Sequence, residues 1–223
     1  MPDRVSQHYG QGMSLDSHRR EYRSGELRRA QLESDPLIQF RGWLELALEL
    51  DLKDATAMAL ATASPAAVPS VRIVLLKSCD AEGFSFFTDY RSQKGQDLAA
   101  NPVASALFHW RELDRQVRLT GTVVKVTAAT SREYFESRPY TSRLAASASD
   151  QSSPISDRAA LEAALEQAGR QYPMEQVPVP DQWGGYLLRP EAFEFWQGRE
   201  SRLHDRFVYA PEDSSWNIER LAP

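Results

Sequence analysis

The sequence predicts an α+β domain built on an antiparallel sheet that curls into a small barrel, with helices flanking it. Three observations carry that prediction. Seven or eight short apolar or alternating runs, rich in β-branched and aromatic residues, are separated by Pro, Gly, Asn or Asp. A few segments with helical caps and helical periodicity interrupt these runs. The 223 residues, 42% hydrophobic and 26% charged, show no internal repeat or low-complexity block and suffice for one sizeable core.

In chain order, residues 1–18 are polar with almost no apolar periodicity and are expected to be disordered in the free chain, leaving 19–223 as a single domain. The first helix lies in "DPLIQFRGWLELALEL", with Asp35 as N-cap, Pro36 at the first helical position, and an apolar face of Leu37, Phe40, Leu44, Ala47 and Leu48. The strand candidates follow as "TAMALATAS", "PSVRIVLLK", "GFSFFTD", "VASALFHW", "RQVRLTGTVVKVT", "GGYLLRPEAFEFWQG", "RLHDRFVYA" and "SWNIERL". Between them, "SQKGQDLAANP" predicts a helix capped by Ser92 and stopped at Asn101-Pro102. "TSREYFESRP" predicts another, with Thr130 and Glu133 as a capping box and an end at Arg138-Pro139. "SDRAALEAALEQAGRQ" is a further helix of good intrinsic propensity.

Composition excludes several classes. A net charge of −5 gives no general attraction to nucleic acid or to an anionic membrane, so any anion site must be local. Cys79 is the only cysteine, which rules out an intrachain disulfide and suits a reducing compartment. With no apolar leader in "MPDRVSQHYGQGMSLDSHRREY", the reading is a cytoplasmic protein without a membrane partner. The four histidines and the cysteine lack metal-ligand spacing, and no P-loop, dinucleotide fingerprint or nucleophile elbow is present.

What remains are places that could hold an anion. Arg72 and Lys77 bracket the apolar strand "RIVLLK" and, five positions apart, point to opposite faces if that strand is flat; they either snorkel or flank a ligand. Lys94 sits in the first turn of a helix whose free amides already favour an anion. Tyr134 and Arg138 share a helix face at i and i+4, so that phenol and guanidinium either converge on one oxygen cluster or pack together. Gln151 and Ser152 offer donors in a polar loop, and Trp196 is either core or a ring contact. Read as a strand, "RLHDRF" sends Arg202, His204 and Arg206 to one face, either as a solvated edge or as a ligand patch. Together these donors exceed what one phosphate needs.

"RREY", "RIVLLK", "FFTD" with "SQK", "RQV", "YFESRPYTS", "QSS", "EFWQG", "RLHDRF" and the terminal "RLAP" occur in an order that resembles the pyridoxine/pyridoxamine 5′-phosphate oxidases over residues 19–223. The resemblance implies a split β-barrel that binds flavin mononucleotide (FMN) and forms a homodimer with each flavin at the subunit interface. It further implies oxidation of pyridoxine or pyridoxamine 5′-phosphate to pyridoxal 5′-phosphate, by hydride transfer from the C4′ carbon to the flavin, with O2 as acceptor yielding H2O2. Carried over by motif, the FMN contacts are Arg72, Ile73, Val74, Leu75, Leu76, Lys77, Phe87, Thr88, Gln93, Lys94, Gln116, Gln151, Ser152, Trp196 and Arg206. Lys77, Tyr134, Arg138 and Ser142 match the substrate-phosphate group, and Arg202 and His204 the pair over the substrate ring. The segment from Arg19 to Tyr22 matches one that closes over the substrate.

The sequence departs from the family pattern in two places. Position 93 is Gln where the family usually has Arg, and "AASASD" replaces a Trp-containing stretch before Gln151. "SQKG" is also similar to flavin oxidases of phenazine biosynthesis, which leaves that activity as an alternative. A split-barrel flavin- or haem-binding protein without turnover is a second.

Overall fold

The computed structural model describes residues 20–173 and 176–223. Its strands form one branched antiparallel sheet. Helix α1 (Pro36–Glu49) precedes β1 (Ala57–Ala63), β2 (Pro69–Leu75), β3 (Ser78–Asp80) and β4 (Gly83–Asp89). Helix α2 (Gln93–Ala100) leads to β5 (Val103–Trp110) and β6 (Arg115–Lys125), and then come α3 (Ala128–Ser137), α4 (Tyr140–Ala148) and α5 (Arg158–Gln171). The chain ends in β7 (Trp183–Gln197), β8 (Asp205–Glu212) and β9 (Ser215–Leu221).

The sheet runs β2-β1-β5-β6-β7-β4-β3, and β8 and β9 branch from β7. The long β7 produces this split. Its first half pairs with β4 from Trp183 to Leu188, its second half pairs with β8 from Phe193 to Gln197, and β6 runs along both with an irregularity at Thr120/Gly121. The α+β class and the split-barrel form are therefore as expected, with the barrel curled but β2 paired to β1 alone.

Helix α1 fills the concavity. The Asp35 carboxylate accepts the Leu37 N–H at 2.8 Å and Pro36 occupies the first turn, as the sequence predicts. Phe40, fully buried, packs edge-on against Phe84 and Phe108 at 4.8 Å each. Such burial is worth about 1.5–3 kcal/mol, and truncation to Ala costs about 3–5 kcal/mol. The face is rotated slightly from the predicted one: Trp43 is buried while Leu48 is exposed. A second, smaller core of Phe135, Leu144, Ala168, Val177 and Trp183 joins α3, α4 and α5 to the start of β7.

Four elements differ from expectation. Helix α3 is capped by Thr127, whose hydroxyl accepts the Thr130 N–H at 3.1 Å, so Thr130 lies inside the helix and not at its cap. Helix α4 and the three-residue β3 have no counterpart in the sequence reading; α4 restarts directly after Pro139, which ends α3 by removing a donor and fixing φ. "RLHDRF" is not a continuous strand. Ser201 and Arg202 adopt left-handed backbone (φ 55° and 61°) in a tight turn closed by the Leu203 N–H to the Glu200 carbonyl, and β8 begins only at Asp205. Arg202, His204 and Arg206 therefore do not alternate along one strand.

Candidate active site

A cleft of ≈ 660 Å³ opens where the end of β2, strand β4, the start of α2 and the α3–α4 corner meet. Arg72, Ile73, Val74, Leu75 and Lys77 form one wall, and Phe87, Thr88 and Lys94 another. Tyr134, Arg138 and Ser142 come from α3 and α4, and Gln151 from the loop beyond. Arg72 and Lys77 share this cleft although strand parity would separate them, because β2 stops at Leu75 and the chain turns so that the Lys77 N–H reaches the Ser85 carbonyl at 2.9 Å.

Each cation is held by identifiable neighbours. The Arg72 guanidinium donates to Thr62 Oγ1 at 2.7 Å, to the Leu60 carbonyl at 3.2 Å and to Ser70 Oγ. The buried Lys94 ammonium donates to Gln151 Oε1 at 2.7 Å, Thr88 Oγ1 at 3.1 Å and Ser92 Oγ at 3.3 Å. Burial first, and then the charge of Arg72, push the Lys94 pKa down. An anion between these two groups would relieve that repulsion. Helix α2 can bring its first turn this close because residue 95 is Gly; a Cβ there would meet the Tyr90 carbonyl oxygen at 2.1 Å.

Arg138 is the helix-end residue of α3, and its guanidinium lies over the Trp183 ring at 4.8 Å. Its Nη1 is buried without a hydrogen-bond partner, and burial lowers the pKa of the group. A buried donor on a cation, bordering a cleft and bonded to no protein atom, suits an anionic ligand. Lys77 approaches the Tyr134 ring at 5.9 Å, and Phe87 stacks on Tyr134 at 4.0 Å.

The other expected residues lie elsewhere. Leu76 is buried beside the cleft wall without lining it. The Gln93 side chain turns to Asp97 Oδ1 at 2.8 Å, and its N–H donates to Ser152 Oγ at 3.3 Å, so neither Gln93 nor Ser152 faces the cleft. Gln116, Trp196 and Arg206 form one row across β6, β7 and β8. Arg206 donates to Glu194 Oε1 at 2.9 Å and to the Ala222 carbonyl at 2.8 Å. Tyr22 packs edge-on against Trp196 at 5.5 Å and His204 at 5.3 Å, close to the Gly198 backbone where a Cβ would touch the Tyr22 ring at 2.7 Å. Arg202 is exposed on the adjoining turn. His204 Nδ1 accepts the Arg199 N–H at 3.1 Å, which assigns the neutral ring's proton to Nε2. Burial, then the nearby Arg202, push the His204 pKa down. Arg19 lies outside the described residues.

The expected residues thus fall into two groups, one around the cleft and one at the β7–β8 turn. Trp183, a cleft residue, and Trp196 stand at opposite ends of β7, thirteen residues apart, or about 40 Å at the rise of an extended strand. Sequence reasoning missed Asp89, Pro139, Ala145, Ala146, Ser149 and Trp183 in the cleft. Four of these six belong to α4 or to the residues that flank it, and small residues at helix spacing carry no chemical signal of their own. No cluster of three or more His, Cys, Asp or Glu suited to a metal occurs among the described residues, and none of their helices is long and apolar enough to cross a membrane.

Residues 45–172 match the family model described as pyridoxamine 5′-phosphate oxidase. The chain belongs to that family. Residues 183–223 match the pyridoxine 5′-phosphate oxidase C-terminal dimerisation region. A pyridoxine/pyridoxamine 5′-phosphate oxidase of Ralstonia pickettii is 52% identical over 94% of this chain and 99% of its own length. One from Teredinibacter turnerae is 49% identical over 95% of this chain and 100% of its own length. Among solved structures, PhzG from Burkholderia lata, in complex with tetrahydrophenazine-1-carboxylic acid, superposes with a TM-score of 0.82 at 30% identity, covering 87% of this chain and 95% of the other. An FMN-binding, pyridoxamine 5′-phosphate oxidase-related protein of Nostoc punctiforme has a TM-score of 0.68 at 20% identity, over 86% and 100% of the two chains, and shares the fold.

Proposed function

We propose that this chain is an FMN-dependent oxidase that converts pyridoxamine or pyridoxine 5′-phosphate to pyridoxal 5′-phosphate as a homodimer, with O2 as the final acceptor. The observation that carries this reading is the donor set of the cleft. Arg72 and Lys94 stand beside the first turn of α2, while Lys77, Tyr134, Arg138 and Ser142 supply a further set in which Arg138 Nη1 has no protein partner. Two phosphate-bearing ring compounds use such a set; one phosphate would leave cations unpaired.

FMN, when bound, supplies the hydride acceptor and passes the electrons to O2. The chain's own residues supply alignment. In this reading Arg72 and Lys94 hold the FMN phosphate, with Thr88 and Gln151 steadying the lysine. Lys77, Tyr134, Arg138 and Ser142 hold the substrate phosphate, remote from the reacting carbon, and that binding energy fixes the carbon at the flavin face. A second copy of the chain contributes Gln116, Trp196 and Arg206 to the flavin and Arg202 and His204 over the substrate ring, with Tyr22 closing above. The separation of the two groups along β7 supports a site shared between copies, since one chain does not bring them to one ligand.

PhzG, at 30% identity, and the Gln at position 93 favour a second reading, oxidation of a phenazine precursor. The substrate-phosphate set has no task there, and the pyridoxine/pyridoxamine phosphate oxidases stand near 50% identity. Anaerobic mixing of the purified yellow protein with pyridoxamine 5′-phosphate decides between them. Rapid bleaching of the flavin band is expected; no bleaching with either B6 phosphate would refute the proposal.

A further inference from the structure

Behind Arg72 lies a buried carboxylate that never enters the cleft. Asp97, on the second turn of α2, is 2% exposed. Its Oδ2 accepts from Thr62 Oγ1 at 2.6 Å and from Ser70 Oγ at 3.1 Å, and its Oδ1 accepts from Gln93 Nε2 at 2.8 Å. Thr62 and Ser70 face one another across β1 and β2, and Arg72 follows two residues after Ser70 on the same strand face. The same two hydroxyls accept from the Arg72 guanidinium, which itself stands 3.9 Å from Asp97.

The direction of the bonds to Asp97 and from Arg72 is fixed. A carboxylate only accepts and a guanidinium only donates, while a hydroxyl has a single proton. Thr62 and Ser70 must therefore give their protons to Asp97 and turn their lone pairs to Arg72. Burial would raise the Asp97 pKa, but bonds from Thr62, Gln93 and Ser70, with the charge of Arg72, outweigh it and keep the carboxyl ionised. The bonds to Thr62, Ser70 and the Leu60 carbonyl occupy three of the five Arg72 donors and leave the others for the cleft.

We propose that Asp97 is a positioning residue for the anion bound by the cleft: through Thr62 and Ser70 it orients Arg72 and balances the charge of that guanidinium. Gln93 serves this arrangement as a neutral donor that occupies the free oxygen of Asp97 without competing with Arg72 for its charge. The inference rests on the reading of that anion as the FMN phosphate.

The test titrates apoprotein with FMN and with riboflavin, which lacks the phosphate, following flavin fluorescence. Asp97→Asn keeps the side-chain volume and an acceptor for the two hydroxyls but removes the negative charge that faces Arg72. FMN affinity is expected to fall about tenfold, the loss of one charge-assisted contact, while riboflavin affinity stays the same. Asp97→Glu should recover part of the difference. Should Asp97→Asn not fold, Thr62→Ala deletes one relay hydroxyl and is expected to lower FMN affinity about threefold, again sparing riboflavin. Equal losses for both flavins, or no loss of FMN affinity, would overturn the role of Asp97. A wild-type protein that binds FMN no better than riboflavin would instead overturn the flavin reading, and this proposal with it.

Discussion

Replacing Arg138 with Met separates substrate recognition from cofactor recognition and from folding. Because Arg138 Nη1 has no protein partner, the substitution breaks no internal hydrogen bond at that atom. The packing of the side chain over Trp183, at 4.8 Å, is worth about 0.5–1 kcal/mol as a cation–π contact, and a thioether on the same ring restores part of it. The ligand-free protein should therefore lose under about 1 kcal/mol. The ligand loses far more: a charge-assisted bond to phosphate is worth about 1.5–3 kcal/mol, roughly ten- to a hundredfold in affinity. The KM for pyridoxamine 5′-phosphate should rise by that factor, with FMN affinity and the thermal midpoint nearly unchanged. Steady-state kinetics, a flavin titration and a melting curve on one preparation measure all three. An Arg138→Met enzyme with unchanged KM, or one that loses FMN in proportion, would show that this guanidinium does not meet the substrate.

Arg202→Leu should slow flavin reduction in a single turnover at saturating substrate at least tenfold while KM changes little; an unchanged rate removes Arg202 from the reaction. Asp114, buried, accepts from Ser24 Oγ at 2.6 Å and pairs with Arg20 at 2.6 Å, and so ties the segment carrying Tyr22 to the body. Asp114→Ala should accelerate tryptic cleavage between residues 20 and 28 about tenfold, and equal cleavage rates would show that the segment is anchored elsewhere. For His204 the fold favours the neutral ring, so its stability contribution is complete above the ordinary imidazole value near 6.5 and is lost as pH falls through the lower folded value. Wild type should lose more stability between about pH 7 and 5 than His204→Gln does, and an imidazole that titrates above 6.5 by NMR would contradict the assignment.

The sheet was readable in the sequence because its strands advertise themselves. "GFSFFTD" and "VASALFHW" are apolar runs cut by Gly, Asp and Pro, and each became a strand within a residue or so of its predicted ends. Capping chemistry located α1 and α2 equally well, since Asp35 and Ser92 both accept N–H groups of the first turn. Where two residues compete for a cap, local pattern fails: Thr127 and Thr130 both suit the position, and their hydroxyls lie 2.9 Å apart. Strand parity misled twice. Arg72 and Lys77 meet because β2 ends between them, and the "RLHDRF" alternation dissolves because Ser201 and Arg202 adopt left-handed backbone that neither residue type announces. The Asp97 network was invisible for a different reason: its members come from β1, β2 and α2, and nothing in the spacing of a Thr, a Ser and an Asp marks them as one unit.

The two-group arrangement of the site also bears on a feature of β2 that otherwise costs stability. Val71, Ile73 and Leu75 are 67%, 65% and 44% exposed on the outer face of a strand that pairs on one side only. A lone edge strand with an apolar face invites association. Ile73 and Leu75 also line the cleft, so whatever covers this face borders the same cleft that Arg72 lines. Under the proposed shared site, a second copy placed there would bury side chains worth up to about 1.5–3 kcal/mol each and would bring its own β7–β8 turn to the cleft of the first. Residues 183–223, the dimerisation region, include that turn with Trp196, His204 and Arg206. Subunit association and flavin binding would then draw on one surface, and each would stabilise the other by mass action. On this reading dilution should release flavin in step with dissociation, and excess FMN should hold the dimer together.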